Sequence, residues 1–154
     1  MEEFHSTINR FITENNIDGI HMVLRESCHS VQDAARAINV SQHDFVKNIC
    51  LLDNKEQLIL AIVKGEDRVS TTRVGKALNI ERPRLATEDE ILAHTGFPAG
   101  GVPSFGFKAI FLVDPKVTEL SYIYTGGGSQ LSLIKVETNS MLQANKGQVI
   151  RIRK

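Results

Sequence analysis

The sequence is short of the residues that build disulfide-stapled or membrane-spanning proteins. It has no tryptophan, and its 154 residues include only two cysteines, Cys28 and Cys50, which do not form a CxxC pair. Isolated cysteines of this kind favour free thiols in a reducing compartment. The apolar runs are far shorter than the roughly 20 residues of a membrane span, and the acidic start, Met1-Glu2-Glu3-Phe4, is unlike a signal peptide. We therefore expect a cytoplasmic protein with no membrane partner.

The sequence also has no excess charge of either sign. Its 18 basic residues equal its 18 acidic ones, which argues against a protein that coats nucleic acid. The charges are unevenly placed, since residues 1–30 carry net −3 and residues 135–154 carry net +4. This basic end is suited to a local phosphate contact, and a solvated tail is the alternative interpretation.

Familiar catalytic motifs are missing as well. The chain contains no HExxH, no metal-type spacing of Cys and His, no acidic calcium loop, no GxSxG, no P-loop and no dinucleotide fingerprint. We therefore expect neither a metal nor a cofactor. An enzyme with this inventory would depend on backbone dipoles, a lysine and a positioned water, which suffice for hydrolysis of an activated ester.

The hydrophobic pattern predicts one α/β (α+β) domain over residues 1–154, with an N-terminal helix in residues 1–16. Phe4, Ile8, Phe11 and Ile12 form the apolar stripe of that helix. Short strands joined by polar turns predict a mixed, partly curled, barrel-like sheet with small helices around it. The predicted strands are Ile20–Leu24, Phe45–Leu52, Gln57–Val63, Ala109–Val113, Leu120–Tyr124, Leu131–Ile134 and Gln148–Arg153.

Capping residues predict where the shorter helices begin. Ser30 is expected to cap one helix and Ser70 or Thr71 another, which continues to Leu78. Thr87-Glu88-Asp89-Glu90 has the pattern of a capping box, so the two glutamates need no catalytic explanation. Thr138 or Asn139 is expected to cap the last helix.

Residues 95–106 are the most unusual stretch of the chain. They include four glycines and two prolines, carry no charge, and yet contain Phe97, Val102 and Phe105. Glycine and proline at this density prevent a regular helix or strand. Two interpretations are open: an apolar wall with free backbone N–H groups that a ligand packs against, or a buried crossover that needs glycine for close packing.

Two further features await a structural explanation. Lys47 interrupts an apolar strand, which costs desolvation unless the side chain faces a cleft or an anionic partner; the alternative is an outward-facing lysine on an edge strand. Residues 125–129, Thr-Gly-Gly-Gly-Ser, form a second glycine cluster. It predicts either a bulge or hairpin turn or a second set of exposed amides beside residues 95–106.

Four segments in this order resemble one known family. They read Ser30-Val31-x-x-Ala34-Ala35, Asn39-Val40, Phe45-Val46-Lys47-Asn48 and Thr95-Gly96-x-x-x-Gly100-Gly101-Val102-Pro103-x-Phe105-Gly106. The family is that of YbaK and the prolyl-tRNA synthetase-associated editing domains. The similarity runs from about residue 20 to the end, so the chain is similar to the free-standing members.

The resemblance implies a YbaK-like fold and a trans-editing deacylase. Such an enzyme hydrolyses the ester between a mischarged small amino acid (Ala, Cys or Ser) and the 3′ end of a tRNA, here tRNA(Pro), and an aminoacyl-tRNA synthetase is a further expected partner. On the family pattern, Lys47 engages the terminal phosphate or ribose, while Gly100 and Gly101 present amides to the substrate carbonyl and the water. The substrate-binding residues implied by the same pattern are Asn48, Thr95, Gly96, Val102, Pro103, Ser104, Phe105, Gly127, Gly128 and Ser129.

The sequence departs from the family pattern at two places. Ser104 stands where many members have proline, and residues 129–134 offer no acidic residue or histidine. These departures favour a first alternative, a non-catalytic module that binds tRNA or a nucleotide. The second alternative is an interaction protein whose apolar loop docks onto a synthetase.

Overall fold

The computed structural model describes residues 1–25 and 30–154. Cys28 and His29 lie outside the described residues. The helices are α1 (Glu2–Glu14), α2 (Val31–Ala37), α3 (Thr71–Leu78), α4 (Glu88–Thr95) and α5 (Thr138–Asn145). The strands are β1 (Gly19–Val23), β2 (Val46–Leu52), β3 (Leu58–Lys64), β4 (Arg84–Leu85), β5 (Ile110–Val113), β6 (Tyr122–Gly126), β7 (Ser132–Glu137) and β8 (Gln148–Val149).

The strands form two sheets. A mixed five-stranded sheet has the order β4-β2-β3-β5-β8, in which β5 runs parallel to β3 and β8 while β2 is antiparallel to both of its neighbours. A three-stranded antiparallel sheet has the order β1-β7-β6. The predicted mixed α/β fold is confirmed. Within the described residues, however, the two sheets do not close into a barrel: a single bridge between Phe45 and Tyr124 connects them.

Strand β3 is the centre of the packing. Its six residues Leu58–Val63 are all buried, and alternate side chains enter two different hydrophobic clusters. One face packs in the larger core with Ile8 and Ile12 of α1, and the other packs with Val74 of α3. Because successive side chains of a strand point to opposite faces, a strand buried on both sides reads as a continuous apolar run.

Most of the predicted helix starts are confirmed. The side chains of Ser30, Ser70 and Thr87 each accept a hydrogen bond from a backbone N–H in the first helical turn, and Glu90 completes the capping box of α4. The cap predicted for α5 is wrong, because the Glu137 carboxylate accepts two backbone N–H groups of the first turn and is itself the cap. A carboxylate is also favourable at a helix N-terminus because it faces the positive end of the helix dipole.

The last strand is shorter than predicted. Strand β8 covers only Gln148–Val149 of the expected 148–153. The N–H groups of Ile152 and Arg153 donate instead to Oδ1 of Asp114, at 3.0 and 3.2 Å, and the Arg153 guanidinium donates to Oδ2 at 2.9 Å. A fully buried carboxylate and an isolated antiparallel bridge between Val69 and Arg153 thus fix the C-terminal segment beyond β8.

Two absences hold for residues 1–25 and 30–154. No helix there is long and apolar enough to cross a membrane. Nor do three or more His, Cys, Asp or Glu side chains converge in the arrangement of a metal site.

Candidate functional site

A cleft of about 450 Å³ opens where three segments meet: β2, residues 95–106 (the glycine-rich stretch) and the β6–β7 hairpin. Lys47, Asn48 and Cys50 come from β2, and Ala99, Gly100 and Val102 come from the glycine-rich stretch. The other lining residues are Ser30, Val31, Phe45, Val46, Ile49, Ile91, Tyr124, Thr125, Gly126, Gln130, Ser132 and Leu133. Most of this surface is apolar, with a few polar groups between, which is typical of a small-molecule site.

Different parts of the glycine-rich stretch have the two structures that the sequence predicted, a buried crossover and an apolar wall; that a ligand packs against this wall stays a prediction. Phe97 and Phe105 are buried in the main core, and Phe105 stacks on Phe11 of α1 with ring centroids 5.8 Å apart. These aromatic rings anchor the stretch as a buried crossover. Between them, Ala99, Gly100 and Val102 face the cleft and form part of its wall.

Thr95 and Gly96 shape the entry to this stretch. The Thr95 hydroxyl donates to Ile91 O at 2.7 Å and accepts the N–H of Phe97 at 3.0 Å. Gly96 ends α4 in the left-handed conformation, with φ of +79°. Neither residue lines the cleft, so the structure places them as a turn that directs the chain towards it.

The two predicted amide donors lie in different environments. Gly100 is exposed at the cleft with φ of +86°, and its N–H has no hydrogen-bond partner among the described residues. The N–H of Gly101 donates to Pro98 O at 3.0 Å. An amide already engaged in a turn must give up that bond before it reaches a ligand. Gly100 is therefore the more available donor.

Gly101 is buried against the second glycine cluster. A Cβ at this position would lie 2.5 Å from Ser129 N and 2.6 Å from its Cα. The carbonyl of Gly101 accepts the Gly128 N–H at 2.7 Å. The two glycine-rich segments thus pack backbone to backbone, which only residues without a side chain allow.

The second cluster is a hairpin turn whose amides are used internally. Gly127 N–H donates to Ser132 O and Ser129 N–H to the Ser132 hydroxyl, at 3.2 and 3.1 Å. On the outer side, the ring of His5 is hydrogen-bonded through Nε2 to the Ser129 hydroxyl at 2.8 Å. Burial, together with the neighbouring His21, lowers the pKa of His5 and favours the neutral ring. Helix α1 therefore buttresses the hairpin that supports the cleft wall.

Asn48 connects three segments at the base of the cleft. Its Nδ2 donates to Val102 O at 2.9 Å and to Thr125 Oγ1 at 2.8 Å. Its Oδ1 accepts the Ser104 hydroxyl at 2.9 Å, and the hydroxyls of Ser104 and Thr125 are 2.8 Å apart. Since a carbonyl only accepts, the contact with Val102 O fixes the orientation of the amide.

The result is a closed ring of hydrogen bonds among Asn48, Ser104 and Thr125. Because Ser104 donates to Asn48, the Thr125 hydroxyl is the donor to Ser104. Both N–H groups of Asn48 are then used inside the protein, and Oδ1 keeps one lone pair for another donor. Ser104, which departs from the family pattern, is fully buried and is integrated into this ring.

Lys47 lies half-buried at the edge of the cleft. Its Nζ donates to the backbone carbonyl of Asp67 at 3.1 Å. Here β2 pairs with β3 alone, because β4 reaches only Leu51 and Leu52. The open side of β2 accounts for a lysine in an apolar strand: the alkyl stem packs beside the strand while the ammonium group faces a cleft.

Cys50 is the other chemically distinctive group on β2. It is 5% exposed, and burial raises the pKa of its thiol to about 12. At neutral pH the sulfur is therefore a protonated thiol, which is a poor nucleophile. Cys50 acts as a small apolar residue in the cleft wall, as its apolar surroundings in the sequence predicted.

Several lining residues had no recognisable sequence signal. Tyr124 and Leu133 belong to ordinary apolar patterns, and Gln130 and Ser132 lie just after the second glycine cluster, outside any motif. Pro103, Phe105, Gly127, Gly128 and Ser129, all predicted to bind substrate, are buried behind the wall of the cleft. Lys47, Asn48, Gly100 and Val102 are brought together around it.

A comparison with protein families finds one match across most of the chain. The aminoacyl-tRNA editing domain matches residues 25–144. Curated relatives include a proline–tRNA ligase of Trichlorobacter lovleyi, 29% identical over 80 residues that cover 52% of this chain and 14% of the ligase. Another is the uncharacterized protein YwhH of Bacillus subtilis, 23% identical over 126 residues that cover 80% of this chain and 79% of YwhH. This chain spans less than a fifth of the proline–tRNA ligases that it matches.

Two solved structures share the fold of this chain over almost their whole length. The hypothetical protein APE2540 superposes with a TM-score of 0.88 at 22% identity, covering 96% of this chain and 99% of the other. A proposed trans-editing enzyme for prolyl-tRNA synthetase also has a TM-score of 0.88, at 20% identity, covering 98% of this chain and 97% of the other.

Proposed function

Because the chain belongs to the aminoacyl-tRNA editing domain family, as its sequence motifs predicted, we propose that it is a free-standing deacylase of mischarged tRNA. The observation that carries this proposal is the placement of Lys47 and the Gly100 amide around one cleft. A cation for the RNA and a hydrogen-bond donor for the ester are the two groups that such a reaction requires.

The substrate enters with its 3′-terminal nucleotide beside Lys47. The Lys47 ammonium binds the terminal phosphate or ribose, and the ester carbonyl lies against the Gly100 N–H. Gly101 supports this arrangement indirectly, because its missing side chain lets the β6–β7 hairpin hold the loop in place. Its own N–H becomes a second donor only if the bond to Pro98 O opens.

Hydrolysis proceeds by attack of a water oxygen on the ester carbonyl carbon. Negative charge develops on the carbonyl oxygen, where the Gly100 N–H stabilises it. The bond from the carbonyl carbon to the ribose oxygen then breaks, and one proton of the water passes to that ribose oxygen. The products are a free amino acid and a tRNA with an intact 3′ end. An aminoacyl ester is activated enough for positioning and polarisation to drive this step.

The lining of the cleft favours a small, uncharged amino-acid side chain. Phe45, Val46 and Leu133 present apolar surface, and among the described lining residues no carboxylate is available to pair with a basic side chain. We propose alanine, cysteine or serine on tRNA(Pro) as the substrates. The similarity of the chain to part of several proline–tRNA ligases supports the choice of tRNA and suggests prolyl-tRNA synthetase as a functional partner.

A substrate panel tests this proposal. Ala-, Cys- and Ser-tRNA(Pro) are incubated with the protein alongside correctly charged Pro-tRNA(Pro) and Ala-tRNA(Ala), and the remaining ester is followed over time. We expect at least one mischarged species to lose its ester faster than it does without the protein, and the correctly charged species to decay only at their spontaneous rate. Equal, uncatalysed decay of every species would refute the deacylase proposal.

A non-catalytic tRNA-binding module is the second candidate. The engaged N–H of Gly101 favours it, because one of the two predicted donors is already used within the loop. This candidate predicts tight binding of tRNA that depends on Lys47, with no ester hydrolysis in the same panel.

A further inference from the structure

A second cleft of about 560 Å³ adjoins the first. Lys47 and Ile49 line both clefts, so the two clefts meet at this part of strand β2. The remaining residues of the second cleft come from the segment that leads into α3, from the region before α4 and from the C-terminus. They are Asp67, Arg68, Val69, Ser70, Thr71, Thr72, Arg82, Leu85 and Lys154.

The charge of this second cleft is strongly one-sided. Its lining includes four cationic side chains, of Lys47, Arg68, Arg82 and Lys154, and one carboxylate, of Asp67. Four positive charges against one negative charge leave the lining at net +3, so the cleft presents mainly positive charge to a ligand. In a protein whose net charge is zero, a concave surface with this balance attracts an anion.

The C-terminal segment is built into this surface. Ser70 N–H donates to Ile152 O at 2.7 Å, and Lys154 N–H donates to Arg68 O at 2.8 Å. With the contacts of Arg153 to the buried Asp114, these bonds hold the segment against the start of α3. The basic end of the sequence is therefore not a solvated tail at residues 152–154.

We propose that the second cleft binds backbone phosphates of the RNA strand whose 3′ end lies in the first cleft. This inference rests on the proposed function, because it takes the reacting end of the RNA to lie beside Gly100. A strand that leaves the first cleft passes Lys47 and enters a surface lined by three further cations. Phosphates are regularly spaced anions, and Arg and Lys are the side chains that neutralise them.

Arg68 and Lys154 are the residues with which to test this path. Both are exposed, and neither side chain makes a hydrogen bond or ion pair within the described residues, so neutral replacements should leave the fold intact. Lys55 and Lys108 supply a matched control. They are exposed, line neither cleft, and lie at the opposite end of the five-stranded sheet from Lys47.

The experiment measures binding of an acceptor-stem RNA that ends in CCA and carries no amino acid, at several salt concentrations. The readout contains no ester, so loss of catalysis and loss of the phosphate path are distinguishable. We expect the double variant Arg68→Gln/Lys154→Gln to bind about tenfold more weakly at low salt. Its slope of log affinity against log salt should be smaller by about 2, one for each lost phosphate contact. The control Lys55→Gln/Lys108→Gln should match wild type.

Two outcomes would overturn the inference. One is that the Arg68/Lys154 and Lys55/Lys108 double variants have the same affinity and salt slope. The other comes from a parallel titration with adenosine 5′-monophosphate. If the Arg68/Lys154 variant loses as much affinity for this mononucleotide as it loses for the RNA, the second cleft is a nucleotide site and not a path for the strand.

Discussion

Replacing Asn48 with alanine tests the structural role of this residue at the base of the cleft. The substitution removes three hydrogen bonds: two from Nδ2, to Val102 and Thr125, and one to Oδ1 from Ser104. Each such bond contributes about 1 kcal/mol net, so we expect the free energy of unfolding to fall by about 2–4 kcal/mol. For a domain of this length that corresponds to a lower melting temperature by about 6–12 °C.

The assay is thermal and urea unfolding of wild type and Asn48→Ala, followed by circular dichroism. Asn54→Ala is the matched control, because Asn54 is exposed and its amide makes only a 3.4 Å contact with Glu81. We expect the control to remain within about 0.5 kcal/mol of wild type. An Asn48→Ala variant as stable as this control would refute the ring of hydrogen bonds as a stabilising feature.

A double-mutant cycle extends this test to the ring itself. Ser104→Ala removes the hydroxyl that Asn48 and Thr125 share. If the three side chains form one network, the effects of Asn48→Ala and Ser104→Ala should fall short of additivity by more than about 0.5 kcal/mol. Strict additivity would mean that the two residues stabilise the fold independently.

Three further predictions concern the loop, helix α4 and the thiol. Gly101→Ala should destabilise the protein by about 1–3 kcal/mol and lower deacylation, because the new Cβ would lie 2.5 Å from Ser129 N. Hydrogen bonds from Arg84 and, to a smaller extent, from the Thr87 N–H lower the pKa of Glu90 from 4.5 to about 2. The stability that this carboxylate contributes is therefore present above pH 4.5 and is lost as the pH falls towards 2. Cys50 should resist alkylation at pH 8 in the folded protein, since a thiol pKa of about 12 leaves about 10³-fold less thiolate than one of 9.0.

Each of these predictions has a control. Gly96→Ala tests the cost of positive φ alone, because a Cβ there meets nothing within 4 Å. Glu90→Gln should weaken the dependence of the melting temperature on pH between 4.5 and 2. An unchanged dependence would contradict the assigned role of the carboxylate. Alkylation is followed by mass spectrometry in a Cys28→Ser variant, and labelling as fast as in urea would show that Cys50 is accessible.

The sequence was most informative where local chemistry decides the structure. Capping side chains identified the starts of α2, α3 and α4, because a hydroxyl in the right place satisfies N–H groups within its own turn. The apolar stripe of α1 and the apolar run of β3 also predicted these two elements correctly. The order of the lysine strand and the glycine loop along the chain was enough to indicate the family.

The features that sequence did not predict depend on distant contacts. Asp114 accepts hydrogen bonds from residues 38 and 39 positions away, and this replaces the predicted end of β8. Gly101 and Gly128 meet only because the β6–β7 hairpin folds back onto the loop. His5 and His21, scattered in the sequence, have ring centroids 4.8 Å apart. A local pattern contains no information on which remote segment will supply a partner.

Ser104 shows how the meaning of a residue changes with its surroundings. In the sequence it is a departure from the family pattern and an argument for lost activity. In the fold its hydroxyl bonds Asn48 and Thr125, and its carbonyl accepts a hydrogen bond from Asn145 at 2.9 Å. The departure is thus accommodated by polar partners, and it does not disturb the wall that holds Gly100.

Single-turnover deacylation with Lys47→Ala tests the central claim most directly. The substrate is whichever mischarged tRNA the wild type hydrolyses, and Lys55→Ala serves as the control for loss of one positive charge. Among the described residues the Lys47 side chain makes one hydrogen bond, to Asp67 O, so we expect little change in melting temperature. The proposed role of Lys47 predicts at least a roughly hundredfold slower hydrolysis for Lys47→Ala and an unchanged rate for Lys55→Ala. A folded Lys47→Ala variant with the wild-type rate would contradict it.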